Sequence, residues 1–300
     1  MKILIAYDGS ECADAALIDL QRAGLPDEVE ALILSAVDVF IPPKPDVKDL
    51  DEPFVNYVPH GVKIARKRAR EAFEESKIIA AQAGGKVQKM FPEWTVTNEA
   101  QPDPPHWAII AKAREWKPDL TVVGSHGRSA LGRLILGSVS QKVLYETECS
   151  VRIARGKSEK SPDDPVRLVL GVDGSPDSDA MLDVVASRNW KQGTDVKIIT
   201  AVESFHQYAV EADVQLSRVR DIQTVAVEKL SAAGLIVSMM ITEEDPKYFL
   251  VRQAELWEAD CIFLGAKGHR FLERLLIGSV SSSVAARAHC SVEVVRRKIV

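Results

Sequence analysis

Three hundred residues leave room for about two ordinary domains, and a composition of 46% hydrophobic, 27% charged and 6% aromatic residues excludes collagenous and disordered chains. Thirty-eight Lys and Arg against 43 Asp and Glu give a formal charge of -5, which offers no broad cationic surface for nucleic acid. No stretch approaches the ~18 apolar residues of a membrane span, and the amino terminus reaches Asp8 too soon for a secretory signal, so a cytoplasmic protein without a membrane partner is expected.

In chain order, an apolar run at 2 to 7 reads as a strand and leads into Asp8-Gly9-Ser10, a turn and helix-cap sequence. A second strand is expected at 31 to 38. Residues 41 to 60 hold Pro42, Pro43, Pro45, Pro53 and Pro59, which forbid a regular helix or central strand. Val62 to Ala83 is an amphipathic helix. A weak strand near 94 to 97 sits inside a second proline-rich stretch, 91 to 105, and strands at 119 to 123 and 150 to 154 follow. Gly156 to Pro165 is polar, ends Ser161-Pro162-Asp163-Asp164-Pro165, and reads as a linker. Beyond it come strands at 167 to 172, 196 to 202, 235 to 241, 260 to 264 and 291 to 295, with an amphipathic helix over Glu211 to Ala233.

The second series repeats the first. Lys2 to Ser10 recurs as Arg167 to Ser175, and Leu32 to Asp38 as Lys197 to Glu203, both at an offset of 165. Gly124 to Ser140 recurs as Gly265 to Ser281 at an offset of 141, so the first half carries 24 extra residues, assigned to 41–60 and 91–105. The expected domains are 1–155 and 166–300, joined by 156–165. Continuously apolar strands alternating with helices predict, in each half, an open Rossmann-like parallel α/β sheet with helices on both faces and ligands at the strand carboxyl ends.

Cys12, Cys149, Cys261 and Cys290 form no CxxC pair and no metal-ligand spacing, so buried, reduced thiols and no metal site are expected. The pattern Gly-x2-Gly-x9-Gly-Ser stands twice, as Gly124, Gly127, Gly137-Ser138 and as Gly265, Gly268, Gly278-Ser279, each time behind an apolar strand and before a helical run. Glycines allow close backbone approach, and a helix start offers a row of amides to a phosphate chain. Capping alone would explain Asp8-Gly9-Ser10 and Asp173-Gly174-Ser175 equally well.

These residues resemble the ATP-binding branch of the universal stress protein family over essentially the whole chain, as two tandem domains. The resemblance implies a five-stranded adenine nucleotide alpha hydrolase-like domain, whose fifth strand pairs across a two-fold interface. One chain then makes an intramolecular pseudo-dimer. It also implies ATP, with or without magnesium, as the ligand. Asp8 and Val37 would meet adenine and ribose, Gly124 and Gly127 would line ribose and phosphates, and Gly137, Ser138, Val139 and Ser140 would bind phosphates. In the second copy Asp173, Val202, Gly265, Gly268, Gly278, Ser279, Val280 and Ser281 take those roles.

No catalytic residue is assigned. A second Asp of the phosphoaspartyl type, a Ser-Gly-Gly-x-Asp-Ser loop, a His-Ile-Gly-His motif and a Walker loop are all missing. The expected function is a nucleotide-dependent stress-response regulator, with an unidentified protein partner. A partner-binding scaffold that no longer holds nucleotide is the alternative, and slow ATP hydrolysis or self-phosphorylation ranks below both. Further homodimerisation is left open. The tail Arg296-Arg297-Lys298 is expected to be solvated.

Overall fold

A computed structural model describes residues 1–40, 60–126, 136–155, 160–202, 209–268 and 277–297. In the first half the elements are β1 (Lys2–Ala6), α1 (Glu11–Leu20), β2 (Glu30–Ala36), α2 (His60–Met90), β3 (Thr95–Gln101), α3 (Pro105–Trp116), β4 (Leu120–Gly124), α4 (Ser138–Glu146) and β5 (Ser150–Ala154). The second half repeats them as β6 (Arg167–Gly171), α5 (Pro176–Ala186), β7 (Asp195–Ala201), α6 (Ala209–Ala232), β8 (Ile236–Thr242), α7 (Pro246–Leu256), β9 (Cys261–Gly265), α8 (Ser279–Arg287) and β10 (Ser291–Val295).

All ten strands form one sheet, in the order β3-β2-β1-β4-β5-β10-β9-β6-β7-β8. Neighbours within each half are parallel. Among the described residues the one antiparallel pairing is β5 with β10, where the halves meet with Ile153 opposite Val292, Arg152 opposite Glu293 and Val151 opposite Val294. The expected pairing of fifth strands within one chain is therefore present. In each half the chain first winds outward from β1 or β6, then returns to place β4 or β9 on the other side. The carboxyl ends of β1 and β4, and of β6 and β9, are the switch points where such sheets leave a crevice.

Strand side chains alternate between two buried faces, which is why the strands read as continuously apolar. On one face Leu4, Leu34, Val151 and Ile153 join Ile109 of α3 and Val143 of α4. The same cluster continues through Val292 and Val294 to Leu250 of α7 and Val284 of α8. On the other face the apolar packing is split in two. Ile3 and Ile5 pack with Leu17 of α1 and Val87 of α2, whereas Leu168 and Leu170 pack with Met181 of α5 and Leu230 of α6. Charged residues fill the seam between those clusters. There Arg152 lies 2.6 Å from Asp19 and 3.0 Å from Glu293, and Glu293 also pairs with Arg188.

One expectation about the repeat needs correction. β3 and β8 begin 141 residues apart, and Pro105 and Pro246 each open the next helix. The offset has thus already changed before β3, so 91–105 is not an insertion. Its prolines flank an edge strand whose exposed Thr95, Thr97 and Asn98 blur the apolar pattern. Part of the extra length extends α2, which has 31 residues against 24 in α6. The proline-rich 41–59 lies outside the described residues, as do 156–159 of the linker.

The rest of the linker is tied down. The Arg22 guanidinium, at the end of α1, donates to the carbonyls of Ser161, Asp164 and Pro165 and to the Asp260 carboxylate of the second half. Of the four cysteines, Cys261 and Cys290 are buried and Cys12 and Cys149 half-buried. Among the described residues no helix is long and apolar enough to cross a membrane, and no cluster of His, Cys, Asp and Glu is placed to hold a metal ion.

Candidate functional site

Each half brings the same set of residues to its switch point. The turn after β1 places Gly9 at φ 78°, and the turn after β6 places Gly174 at φ 74°, a left-handed conformation that favours glycine. This lets the Asp8 carboxylate accept from the Ser10 amide at 3.0 Å, and Asp173 from Ser175 at 2.9 Å. Ser10 and Ser175 then cap α1 and α5, accepting from Ala13 and Ser178. The capping reading of both Asp-Gly-Ser sequences is thus realised in the folded chain.

At the adjacent strand ends, Gly124 and Gly265 face the first turn of α1 and α5. A Cβ on Gly124 would stand 3.0 Å from the Cys12 carbonyl oxygen, and one on Gly265 would stand 2.7 Å from both the Asp177 carbonyl carbon and the Ser178 nitrogen. Glycine is needed there for packing, whatever else the crevice does. Val37 and Val202 follow β2 and β7, half-buried, with their amides given to the carbonyls of Gln101 and Thr242. Gly268 lies against the Asp173 carboxylate. Gly127 falls outside the described residues, along with Arg128, His269 and Arg270.

The helix starts carry the rest of the set. The Gly137 amide donates to the Ser125 carbonyl at 2.8 Å, and Gly278 to Ala266 at 2.7 Å, so α4 and α8 begin directly beside the ends of β4 and β9. Ser140 and Ser281 are buried, and their hydroxyls donate to the Gly124 and Gly265 carbonyls at 2.6 and 2.7 Å. Those hydroxyls pin the helix to the strand. Ser138 and Ser279 are exposed, and Val139 and Val280 half-buried. Among the described residues no side chain caps either helix: Gly137 and Gly278 occupy the cap position with extended backbone, φ -61° and -79°. First-turn amides have no partner within their own helix, and the helix dipole adds positive potential at that end.

The two copies differ around this shared frame. In the second, the Lys267 amide donates to the Asp177 carboxylate at 3.1 Å and the Ser175 hydroxyl to the Lys267 carbonyl at 3.0 Å, so the loop after β9 is tied to α5. The first half has Cys12 and His126 at the corresponding positions. His126 Nδ1 lies 3.1 Å from Ser125 Oγ, while its buried Nε2 finds no partner among the described residues. Burial, and then the nearby Arg155 guanidinium, hold this imidazole below its ordinary range.

Sequence reasoning missed the residues that join the halves beneath these sites. Arg155 and Arg296 are one such pair. Arg296, expected in a solvated tail, is half-buried and donates to the carbonyls of Cys149 and Leu144; its neighbour Arg297 is exposed, and Lys298 lies outside the described residues. The available signal was the offset of 141, which pairs residue 155 with 296.

Comparison with known proteins is consistent across the chain. The universal stress protein family matches residues 1–155 and 166–296. A universal stress protein of Mycolicibacterium smegmatis is 26% identical over 98% of this chain and 96% of its own length. One from Thermus aquaticus is 33% identical over 51% of this chain and 97% of its own length, the size of one half. Among solved structures, a universal stress protein from Archaeoglobus fulgidus superposes with a TM-score of 0.58 at 20% identity, covering 99% of this chain and 96% of that one. A Pseudomonas aeruginosa structure gives 0.59 at 17% identity, covering 98% and 92%. These structures share the fold.

Proposed function

This chain belongs to the universal stress protein family, and on that premise we propose that it binds ATP at the two switch points and acts as a nucleotide-dependent stress-response regulator in the cytoplasm. The observation that carries the reading is the duplicated helix start. Two helices, α4 and α8, begin beside their strand ends without a side-chain cap, each behind a glycine in extended conformation. A phosphate chain is the ligand class that such a row of amides suits.

The residues present fit that ligand. The amides of Ser138, Val139 and Ser140, and of Ser279, Val280 and Ser281, would take the phosphates. The Ser140 and Ser281 hydroxyls serve the strand ends instead. Asp8 and Asp173, with Val37 and Val202, would meet ribose and adenine. Magnesium, where it accompanies ATP, would arrive on the phosphates, since no protein cluster among the described residues is built to hold it. Bound nucleotide can regulate only through different affinities for two states of the protein, and the joined sheet gives each site a neighbour whose state it can influence.

The second reading, a partner-binding scaffold without nucleotide, is favoured by one observation. Packing alone accounts for Gly124 and Gly265, and strand anchoring alone for the Ser140 and Ser281 hydroxyls. Denaturing the purified protein and identifying released small molecules by chromatography with mass spectrometry separates the two. Recovery of an adenine nucleotide supports the first reading. No nucleotide, together with no thermal shift on adding ATP and magnesium, supports the scaffold.

A further inference from the structure

The antiparallel register of β5 and β10 places the third residue of each strand opposite its own counterpart in the other half, so the pseudo-two-fold axis passes between Arg152 and Glu293. In an interface between identical halves the residue on this axis would face itself. Here the counterparts carry opposite charge, are 1% and 0% exposed, and meet with Nη1 to Oε2 at 3.0 Å. Their flanking register partners, Ile153 with Val292 and Val151 with Val294, are aliphatics that would suit either partner and carry no preference.

We infer that the Arg152–Glu293 pair makes this interface selective for unlike halves: the surface built on β5 accepts the surface built on β10 and rejects a second copy of itself. Two β5 surfaces would bring two buried guanidinium groups together on the axis, and two β10 surfaces would bring two carboxylates together. Two like charges brought together in a buried, low-dielectric position repel strongly, and such a juxtaposition is a device for excluding a wrong partner.

Neighbouring contacts are arranged in the same sense. Arg152 takes Asp19 from its own half at 2.6 Å, and the Ser291 hydroxyl of the other half donates to that same Asp19 at 2.6 Å. Glu293 takes Arg188 from its own half, and Arg188 donates to the Ala23 carbonyl across the seam at 2.8 Å. Charges therefore alternate along Asp19, Arg152, Glu293 and Arg188. The partner this surface fits is the other half of the same chain or of another copy. Association of two β5 surfaces or two β10 surfaces is excluded.

The test uses two full-length variants, Arg152→Glu and Glu293→Arg, each with a flexible glycine–serine segment inserted in the linker so that halves can exchange between chains. In the first, Glu faces Glu on the axis; in the second, Arg faces Arg. Exchange between the two restores opposite charges at both interfaces. Co-expressed with different isotope labels and weighed by native mass spectrometry, they are expected to form the mixed two-chain species over either unmixed dimer by about tenfold or more beyond chance. Where a single variant fails to fold alone, recovery of soluble mixed dimer only on co-expression supports the inference equally. Mixed dimers at the statistical proportion, or none, overturn it.

Discussion

Arg155 and Arg296 stand one residue beyond β5 and β10, and each binds the end of a helix in the opposite half. Arg155 donates to the Ala285 carbonyl in the last turn of α8 and to the Cys290 carbonyl just before β10, at 2.8 and 3.3 Å. Arg296 donates to the Leu144 carbonyl in the last turn of α4 and to the Cys149 carbonyl just before β5. Burial pushes the Arg296 guanidinium down to about 10, still far enough above neutrality to keep it a cation at the negative helix end. The helices that present their first turns to the two candidate sites are thus held at their last turns by the other half. Replacing either arginine with alanine strands buried carbonyls and is expected to cost about 2 kcal/mol in urea denaturation. Lysine should recover only part of this, because it lacks the planar fork that reaches two carbonyls. An unchanged denaturation midpoint in Arg155→Ala would count against the cross-capping role.

The glycines at the strand ends differ in how closely the neighbouring helix approaches. A Cβ on Gly265 would meet backbone at 2.7 Å, and one on Gly124 would meet backbone at 3.0 Å. Gly265→Ala is therefore expected to destabilise the chain by about 3 kcal/mol and Gly124→Ala by about 1 kcal/mol. Equal effects would mean that helix approach is not what these glycines serve.

His126 gives a pH signature. Its imidazole is held below the ordinary 6.5 by burial and by Arg155. As pH falls through 6.5, the unfolded chain takes up a proton that the folded chain resists, so stability declines on the acid side and levels off above that pH. His126→Asn should remove this component from the pH dependence of the denaturation midpoint. A variant whose acid-side decline matches the parent would assign it to other groups.

How much of this was legible in the sequence depended on side-chain chemistry. β1 and β6 are buried on both faces and announced themselves as apolar runs, and Asp8-Gly9-Ser10 announced a turn and cap. β3 did not, because it is an edge strand with Thr95, Thr97 and Asn98 exposed, and its flanking prolines suggested an insertion instead. The pairing of β5 with β10 followed from the family resemblance, yet the chemistry at its centre was hidden. Arg152 and Glu293 look like ordinary surface charges in short strands. Only the register places them face to face. Arg296 was misjudged for a similar reason: its partners, Leu144 and Cys149, lie about half the chain away and carry no motif. The glycine loops were the clearest functional signal, and the structure divides it. Gly124 and Gly265 answer to packing, while Gly137 and Gly278 open uncapped helices.

Those last two glycines allow the most direct test. Both have extended backbone at negative φ, which any residue can adopt, so Gly137→Val/Gly278→Val should still fold, at a cost of about 1 kcal/mol for each valine at a helix cap, while its side chains block close approach to the first-turn amides. Calorimetric titration with ATP and magnesium, on protein stripped of bound nucleotide, should show saturable binding to the parent chain and none to the double variant. Binding of the double variant at full stoichiometry, or no binding to the stripped parent, would contradict the proposed sites.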